Sequence, residues 1–161
     1  MSKKTRFGFT MVELIIVIAI IAILAGIIFV AINPAKRFRE TRNTRRWTDV
    51  SNVLDAILKY QVESGGTHIT AIENATNDKY YMIGTGATGC SACTDQTIAA
   101  DGDCLDISAI KPDYIGAIPN DPKSGTDAIT GYYIMKSAAG RIKIGACEAE
   151  PDEVGKISVT R

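Results

Sequence analysis

An uncharged apolar run near the N-terminus limits what this chain can fold into. The run from Leu14 to Ile32 contains 19 residues, with neither a charged residue nor a proline. A helix of this length covers about 28 Å, close to the roughly 30 Å hydrocarbon thickness of a bilayer. Leucine, isoleucine, valine and phenylalanine each favour insertion by roughly 0.3 to 0.6 kcal/mol. The run therefore predicts a helix that spans a membrane.

Two simple interpretations of this run are a cleaved secretory signal peptide and a plain uncleaved anchor. A signal peptide has an apolar stretch of only about 7 to 15 residues, followed by a small-residue cleavage site. Here Asn33, Pro34 and a basic stretch follow the run instead. Neither interpretation explains Glu13 at the start of the run, because a carboxylate in a spanning segment costs up to about 2.5 to 3.5 kcal/mol at mid-bilayer. Such a carboxylate needs a cationic partner.

The residues around Glu13 resemble a known processing signal. A basic leader ends at Gly8, Phe9 follows it, and Glu13 is the fifth residue counted from Phe9. The stretch "RFGFTMVELIIVIAIIAILAG" resembles the class III signal of type IV pilins and type II secretion pseudopilins. The resemblance implies that a membrane prepilin peptidase cuts after Gly8 on the cytoplasmic side and that Phe9 is then N-methylated.

Cleavage before Phe9 explains the position of Glu13. The cut creates a new α-amino cation, and this cation and the Glu13 carboxylate are both costly in lipid. A neighbouring subunit displaced along the axis can bring its amine to this carboxylate, and the two attract strongly at low dielectric. We therefore expect Glu13 to set the axial register of subunits in a filament.

The chain is predicted to have four parts. They are a leader peptide (1–8), a transmembrane N-terminal helix (9–32), a stem with a basic collar and an amphipathic helix (33–65), and a globular α+β head with a loop-rich middle (66–161). Asn33 and Pro34 interrupt the helical hydrogen bonds between the two helices, so we expect a kink or a locally melted stretch there.

The collar, residues 36–46, is strongly basic. It holds six basic residues and one acid, whereas residues 47–161 hold nine basic and 16 acidic residues and have a net charge of −7. Two interpretations follow: the collar anchors the helix end at lipid head groups, or Arg42, Arg45 and Arg46 pair with the acidic head of a neighbouring subunit. The collar also conflicts with a simple positive-inside count, but the leader favours an exported C-terminal part.

The stem and head carry recognisable helix and strand patterns. Apolar residues spaced three and four apart over 47–62 predict an amphipathic helix, which Gly65 and Gly66 end. Three β-rich stretches predict strands: 131–136, 141–147 and 156–160. We predict an α+β fold in which a long N-terminal transmembrane and amphipathic helix packs on a small antiparallel sheet. Residues 118–134 resemble the Pro-x-Asp-Pro segment of the major pseudopilin.

Four cysteines lie in the head: Cys90, Cys93, Cys104 and Cys147. In an exported domain they are expected to form two disulfides, for which three connectivities exist. We favour Cys104 with Cys147, which leaves Cys90 with Cys93. A zinc site and a thioredoxin-like role for "CSAC" are the alternatives, and both lack the usual sequence context.

We expect no cofactor and no metal site, although calcium stays open as an alternative. The major pseudopilin family binds calcium between its last strands, and the corresponding stretch here offers four acids: Glu148, Glu150, Asp152 and Glu153. A second acidic cluster, Asp101, Asp103 and Asp106, does not have the EF-hand spacing. The single histidine, His68, is interpreted as a surface polar residue.

The sequence contains no pattern that indicates catalysis. It has no phosphate-binding glycine loop, no metal-ligating histidine pair and no nucleophile with a placed base. We expect a structural subunit of a type IV pilus or a type II secretion pseudopilus, not an enzyme.

The resemblance implies the partners and the location of such a subunit. The partners are further copies in a homo-oligomeric filament, the prepilin peptidase and methyltransferase, an assembly ATPase and an inner-membrane platform. The precursor is expected in the inner membrane and the filament in the periplasm or outside the cell. The alternatives are a membrane-anchored extracellular binding module and a DNA-uptake pilin. An acidic head disfavours nucleic-acid contact, which depends on cations.

Overall fold

The computed structural model describes residues 8–91, 93–94, 96–98, 104–151 and 153–161. The chain divides into two compact units, Met1–Phe38 and Arg39–Arg161. The leader lies outside the described residues except for Gly8.

The first unit contains the helix α1 (Met11–Ile32), and none of its residues is buried. Among the described residues, the helical stretch that begins at Met11 is the only one with the length and composition to cross a membrane. Its most apolar window has a mean hydropathy of 3.5. Exposing so much apolar surface to water is unfavourable, so lipid or other apolar helices must cover this helix.

A single residue separates α1 from the next helix, α2 (Pro34–Glu63). Asn33 has φ 44° and ψ 73°, the left-handed conformation that asparagine tolerates better than most residues. The backbone amide of Lys36 donates to the Asn33 carbonyl at 3.0 Å and to the Asn33 Oδ1 at 3.3 Å. Asn33 therefore ends α1 and caps α2, while Pro34 takes the first helical position, where its missing N–H costs nothing. The interruption is one residue long.

The second unit contains the rest of α2, a short helix α3 (Thr70–Asn74) and a four-stranded sheet. The strands are β1 (Tyr80–Met82), β2 (Tyr132–Lys136), β3 (Ile142–Ala146) and β4 (Ser158–Thr160), with a 3₁₀ turn at Ser108–Ile110. The sheet order is β1-β2-β3-β4, and every neighbouring pair is antiparallel. The predicted α+β fold is confirmed.

One face of α2 covers one face of the sheet. The buried apolar residues of the helix are Val50, Val53, Leu54, Ala56 and Ile57, and they share a cluster with Ile134, Ile142 and Ile144 of the sheet. The covered stretch is shorter than the apolar pattern suggests, because Trp47 remains 37% exposed and Val62 79% exposed. The helix ends at Glu63, where the amide of Gly66 donates to the Gln61 carbonyl at 2.8 Å.

A second, smaller apolar cluster lies on the other face of the sheet. It comprises Met82, Cys90, Ile98, Tyr133 and Cys147. Gly145 lies beside it, and a Cβ at that position would collide with the Tyr133 ring. The strand β1 and the helix α3 both fall in the stretch that the sequence predicts to be loop-rich, because each is too short to produce a periodic pattern.

Candidate assembly site and a buried charge cluster

The peptide bond predicted to be cleaved is accessible in the described part of the chain. Phe9 is 86% exposed. Apart from Gly8 and its two neighbours in the chain, no described atom lies within 4 Å of the position that a Cβ on Gly8 would take. Both residues of the Gly8–Phe9 bond are therefore exposed in the described part of the chain.

Glu13 has a local partner in its own chain. Thr10 is the N-cap of α1, and the amide of Glu13 donates to the Thr10 Oγ1 at 3.2 Å. In return, the amide of Thr10 donates to the Glu13 Oε2 at 3.4 Å. This is a capping box, which satisfies two otherwise unpaired amides at the start of the helix. Sequence reasoning missed this role, although the spacing Thr-x-x-Glu before an apolar run is its known signal.

A buried ion pair joins α2 to the loop before β2. Arg46 is fully buried, and its Nε donates to the Asp121 Oδ2 at 2.6 Å while a terminal nitrogen donates to the Asp121 Oδ1 at 3.0 Å. A third contact runs from Arg46 to the Asn43 Oδ1 at 2.9 Å. Burial by itself lowers the pKa of Arg46, but the hydrogen bond and charge of Asp121, together with the charge of Glu150, raise it above its ordinary value. The guanidinium therefore stays charged inside the protein.

A second arginine of the collar makes an ion pair beside the first. The Arg42 Nε donates to the Glu150 Oε1 at 2.7 Å. The Glu150 amide donates to the Asn43 Oδ1 at 3.0 Å, so Asn43 links the two pairs. We call Arg42, Asn43, Arg46, Asp121 and Glu150 the Arg46 cluster.

The Arg46 cluster bears on the hypothesis that Arg42, Arg45 and Arg46 pair with the acidic head of a neighbouring subunit, which stays a hypothesis. The Arg42 and Arg46 side chains are held by acids of their own chain, because the loops around these acids return to α2. Arg45 points elsewhere: its side chain is 61% exposed and lies 3.6 Å from Asp49, one helical turn away. Of the three arginine side chains, that of Arg46 is buried, that of Arg42 is 32% exposed and that of Arg45 is the most exposed.

The loop that carries Asp121 is tightly built around this residue. The Asp121 Oδ1 also accepts the amide of Lys123 at 2.9 Å, and the Asp121 amide donates to the Thr130 carbonyl at 2.7 Å. Gly131 has φ +80°, and a Cβ there would lie 2.7 Å from that of Asp121. The segment that resembles the Pro-x-Asp-Pro region thus uses its aspartate to hold both its own turn and α2.

The favoured disulfide pairing was wrong. The structure pairs Cys90 with Cys104 and Cys93 with Cys147. The reason is non-local: the Cys104 amide donates to the Gly86 carbonyl at 2.9 Å, which brings Cys104 to Cys90. The Thr94 hydroxyl donates to the Cys147 carbonyl at 2.7 Å, which brings Cys93 to the end of β3. All four cysteines are bonded, so in this structure none serves as a zinc ligand or as a CxxC redox pair.

The two disulfides are expected to differ in their effect on stability. Chain-entropy arguments give about 3 kcal/mol for the short Cys90–Cys104 loop and about 4 kcal/mol for the longer Cys93–Cys147 loop. Urea unfolding of the full-length variants Cys90→Ser/Cys104→Ser and Cys93→Ser/Cys147→Ser in detergent measures both losses. Peptide mapping without reduction should find the untouched disulfide intact in each variant. A Cys104–Cys147 peptide in the wild type would contradict the pairing.

The acidic residues considered for calcium do not form one group in the described chain. Glu150 is held by Arg42, whereas Glu148 accepts from the Ser124 hydroxyl at 3.1 Å. No three or more His, Cys, Asp or Glu side chains among the described residues are arranged to hold a metal ion. Asp152 lies outside the described residues, so calcium binding at this loop stays an untested alternative.

Two further sequence expectations concern polar residues of the head. Asp101 and Asp103 lie outside the described residues, and the Asp106 Oδ1 accepts the Ser108 amide at 2.7 Å, a local turn. The prediction that His68 is a surface residue was wrong, because it is only 8% exposed. The backbone amide of His68 donates to the Glu73 Oε1 at 2.9 Å, which holds this residue against α3.

Comparison with known protein families gives one match. Residues 3–29 match the model of the prokaryotic N-terminal methylation motif. This motif is the class III prepilin signal of type IV pilins and pseudopilins, and it indicates a pilin-like or pseudopilin subunit. Neither a curated protein nor a solved structure matches the chain.

Proposed function

We propose that this chain is a structural subunit of a type IV pilus or of a type II secretion pseudopilus. The precursor is inserted in the inner membrane through α1, cleaved after Gly8, N-methylated at Phe9 and polymerised into a helical filament. The single observation that carries the proposal is the methylation motif at residues 3–29, which includes most of α1, an apolar helix with no buried residue.

The exposed surface of α1 supports polymerisation. Twenty-two residues of helix, with a leucine, isoleucine, valine or phenylalanine at most positions, bury none of their side chains within the chain. In the membrane, lipid covers this surface. When subunits leave the membrane, only equivalent helices can replace the lipid, and a repeated contact that does not close produces a helical fibre.

The Arg46 cluster supports the proposal that the second unit is folded before assembly, so that the apolar surface of α1 remains for contacts between subunits. It fixes α2 to the loops around Asp121 and Glu150 with two ion pairs, and both partners of each pair belong to the same chain. Its charges are therefore satisfied before assembly. The prepilin peptidase, the assembly ATPase and the inner-membrane platform are the partners that this proposal requires.

The mature N-terminus provides the direct test. We expect intact-mass measurement and N-terminal sequencing of membrane-fraction material to find a chain that begins at N-methylated Phe9. In a strain without its prepilin peptidase, the same chain should begin at its unprocessed N-terminus. An unprocessed N-terminus in assembled, functional material would contradict the proposal.

A further inference from the structure

The end of α3 and the residues after it carry a sequence pattern for covalent modification that the proposed assembly does not explain. Asn74, Ala75 and Thr76 form the pattern Asn-x-Thr, which occurs once in the sequence. Asparagine in this pattern, with a middle residue other than proline, is the acceptor for N-linked glycosylation in exported proteins. A pattern of three residues also arises by chance, so the surrounding structure must show whether the asparagine and the threonine are accessible.

The structural setting exposes both functional groups of the pattern. Asn74 and Thr76 are exposed, and so are the residues on either side, Glu73 and 77–79. Among the described residues, neither side chain has a hydrogen-bond partner. By contrast, Asn43, which is not in such a pattern, is buried in the Arg46 cluster.

The backbone that carries the two side chains is fixed by hydrogen bonds of its own. Asn74 is the last residue of α3, and Ala75 is extended, with φ −65° and ψ 136°. The backbone amides nearby are used internally: that of Ala75 donates to the Ile72 carbonyl at 3.3 Å, and that of Thr76 donates to the Tyr81 hydroxyl at 3.1 Å. The carboxamide and the hydroxyl therefore face solvent from a backbone that is held in place.

We propose that Asn74 is a site of N-linked glycosylation. The donor is an oligosaccharide linked to a polyprenyl diphosphate, and a membrane oligosaccharyltransferase catalyses the transfer. The Asn74 Nδ2 forms a bond to the anomeric carbon of the sugar, while the bond from that carbon to the diphosphate oxygen breaks. The polyprenyl diphosphate leaves with the bonding electrons, and Nδ2 gives up one proton to a base of the transferase. No redox step is involved.

The proposal rests on export of the head, which is part of the proposed function. The experiment uses the full-length chain from membranes of the native host, digested with trypsin after reduction. Residues 60–79 form one tryptic peptide, which contains Asn74 as well as Asn77. We expect this peptide to carry a sugar mass, and a peptide amidase in heavy-oxygen water to convert Asn74 to labelled aspartate.

Matched variants separate this site from other sugar attachments. Asn74→Gln and Thr76→Ala should lose the sugar completely, whereas Thr76→Ser should keep part of it. Asn77→Gln is the control, because Asn77 is also exposed but has no hydroxyl residue two positions later. All four changes lie on exposed residues, so the disulfides and the mature N-terminus should be unchanged.

Two results would overturn the glycosylation proposal. One is a wild-type peptide without sugar, and the other is a sugar that persists in Asn74→Gln, which would indicate attachment to a hydroxyl. The same digest shows whether the chain begins at methylated Phe9. An unmodified Asn74 in a chain with that start therefore refutes the glycosylation alone, while an unprocessed start refutes the proposed function.

Discussion

Replacing Glu13 with alanine is expected to abolish filament assembly while the subunit still inserts in the membrane. In the assembled state, Glu13 is proposed to neutralise the Phe9 amine of a neighbouring copy. Removing one partner of a buried ion pair costs about 3 to 5 kcal/mol. Since every 1.4 kcal/mol is about tenfold, each subunit contact should weaken by a factor of at least about 100. Sheared filaments counted by electron microscopy should fall to background, and carbonate-resistant membrane protein should not change.

The capping box makes glutamine the more informative substitution at this position. Glutamine keeps the hydrogen bond to the Thr10 amide, because the capping box accepts Glu or Gln, but it removes the charge. We therefore expect Glu13→Gln to fail in assembly nearly as completely as Glu13→Ala. Thr10→Ala is the converse control, since it removes the cap, at a cost of about 1 kcal/mol, and keeps the charge. If Glu13→Gln assembled normally, the carboxylate would matter only as a helix cap.

Replacing Arg46 with methionine is expected to destabilise the second unit by about 3 to 5 kcal/mol, because Asp121 would be left charged and buried without its partner. Urea unfolding of the full-length protein in detergent measures this loss. Trp47 is a convenient probe, since it is the only tryptophan and follows Arg46 directly on α2. The midpoint should move to lower urea concentration in Arg46→Met.

Two further variants test whether the effect comes from the buried charge. In Arg46→Met/Asp121→Asn, the asparagine still accepts the Lys123 amide but carries no charge, so the double variant should regain at least half of the loss. Arg45→Met is the matched control, because Arg45 is 61% exposed and its pairing with Asp49 should contribute less than about 1 kcal/mol. Equal losses in Arg46→Met and Arg45→Met would show that burial of the pair is unimportant.

The Arg46 cluster also changes how charge reversal in the collar should be interpreted. A change at Arg42 or Arg46 removes an ion pair inside the subunit, so a loss of filaments in such a variant reports misfolding first. Arg45 is the position at which a contact between subunits can be tested with the smallest loss inside the subunit, because its side chain is 61% exposed and its pairing with Asp49 contributes little. Filament yield in Arg45→Glu, compared with the unfolding midpoint of the same variant, separates the two effects.

Local patterns in the sequence were enough to predict much of this protein. The helix α1 follows from the uninterrupted apolar run, and the break before Pro34 follows from the chemistry of proline. The strands β2, β3 and β4 lie within the three predicted β-rich stretches, and the valines and leucine of α2 that face the sheet follow the helical period. Each of these features depends on residues that lie close together in the chain, so a short window contains the whole signal.

The structure alone decided which distant residues meet. Cys93 bonds to Cys147 across 54 positions, and Arg46 pairs with Asp121 across 75. Neither spacing carries a period, because the contacts depend on how the loops return to the sheet and to α2. The collar arginines illustrate this, because the composition of the collar does not distinguish Arg42, Arg45 and Arg46. In the folded protein, Arg46 is buried and pairs with Asp121, Arg42 pairs with Glu150, and Arg45 lies on the surface.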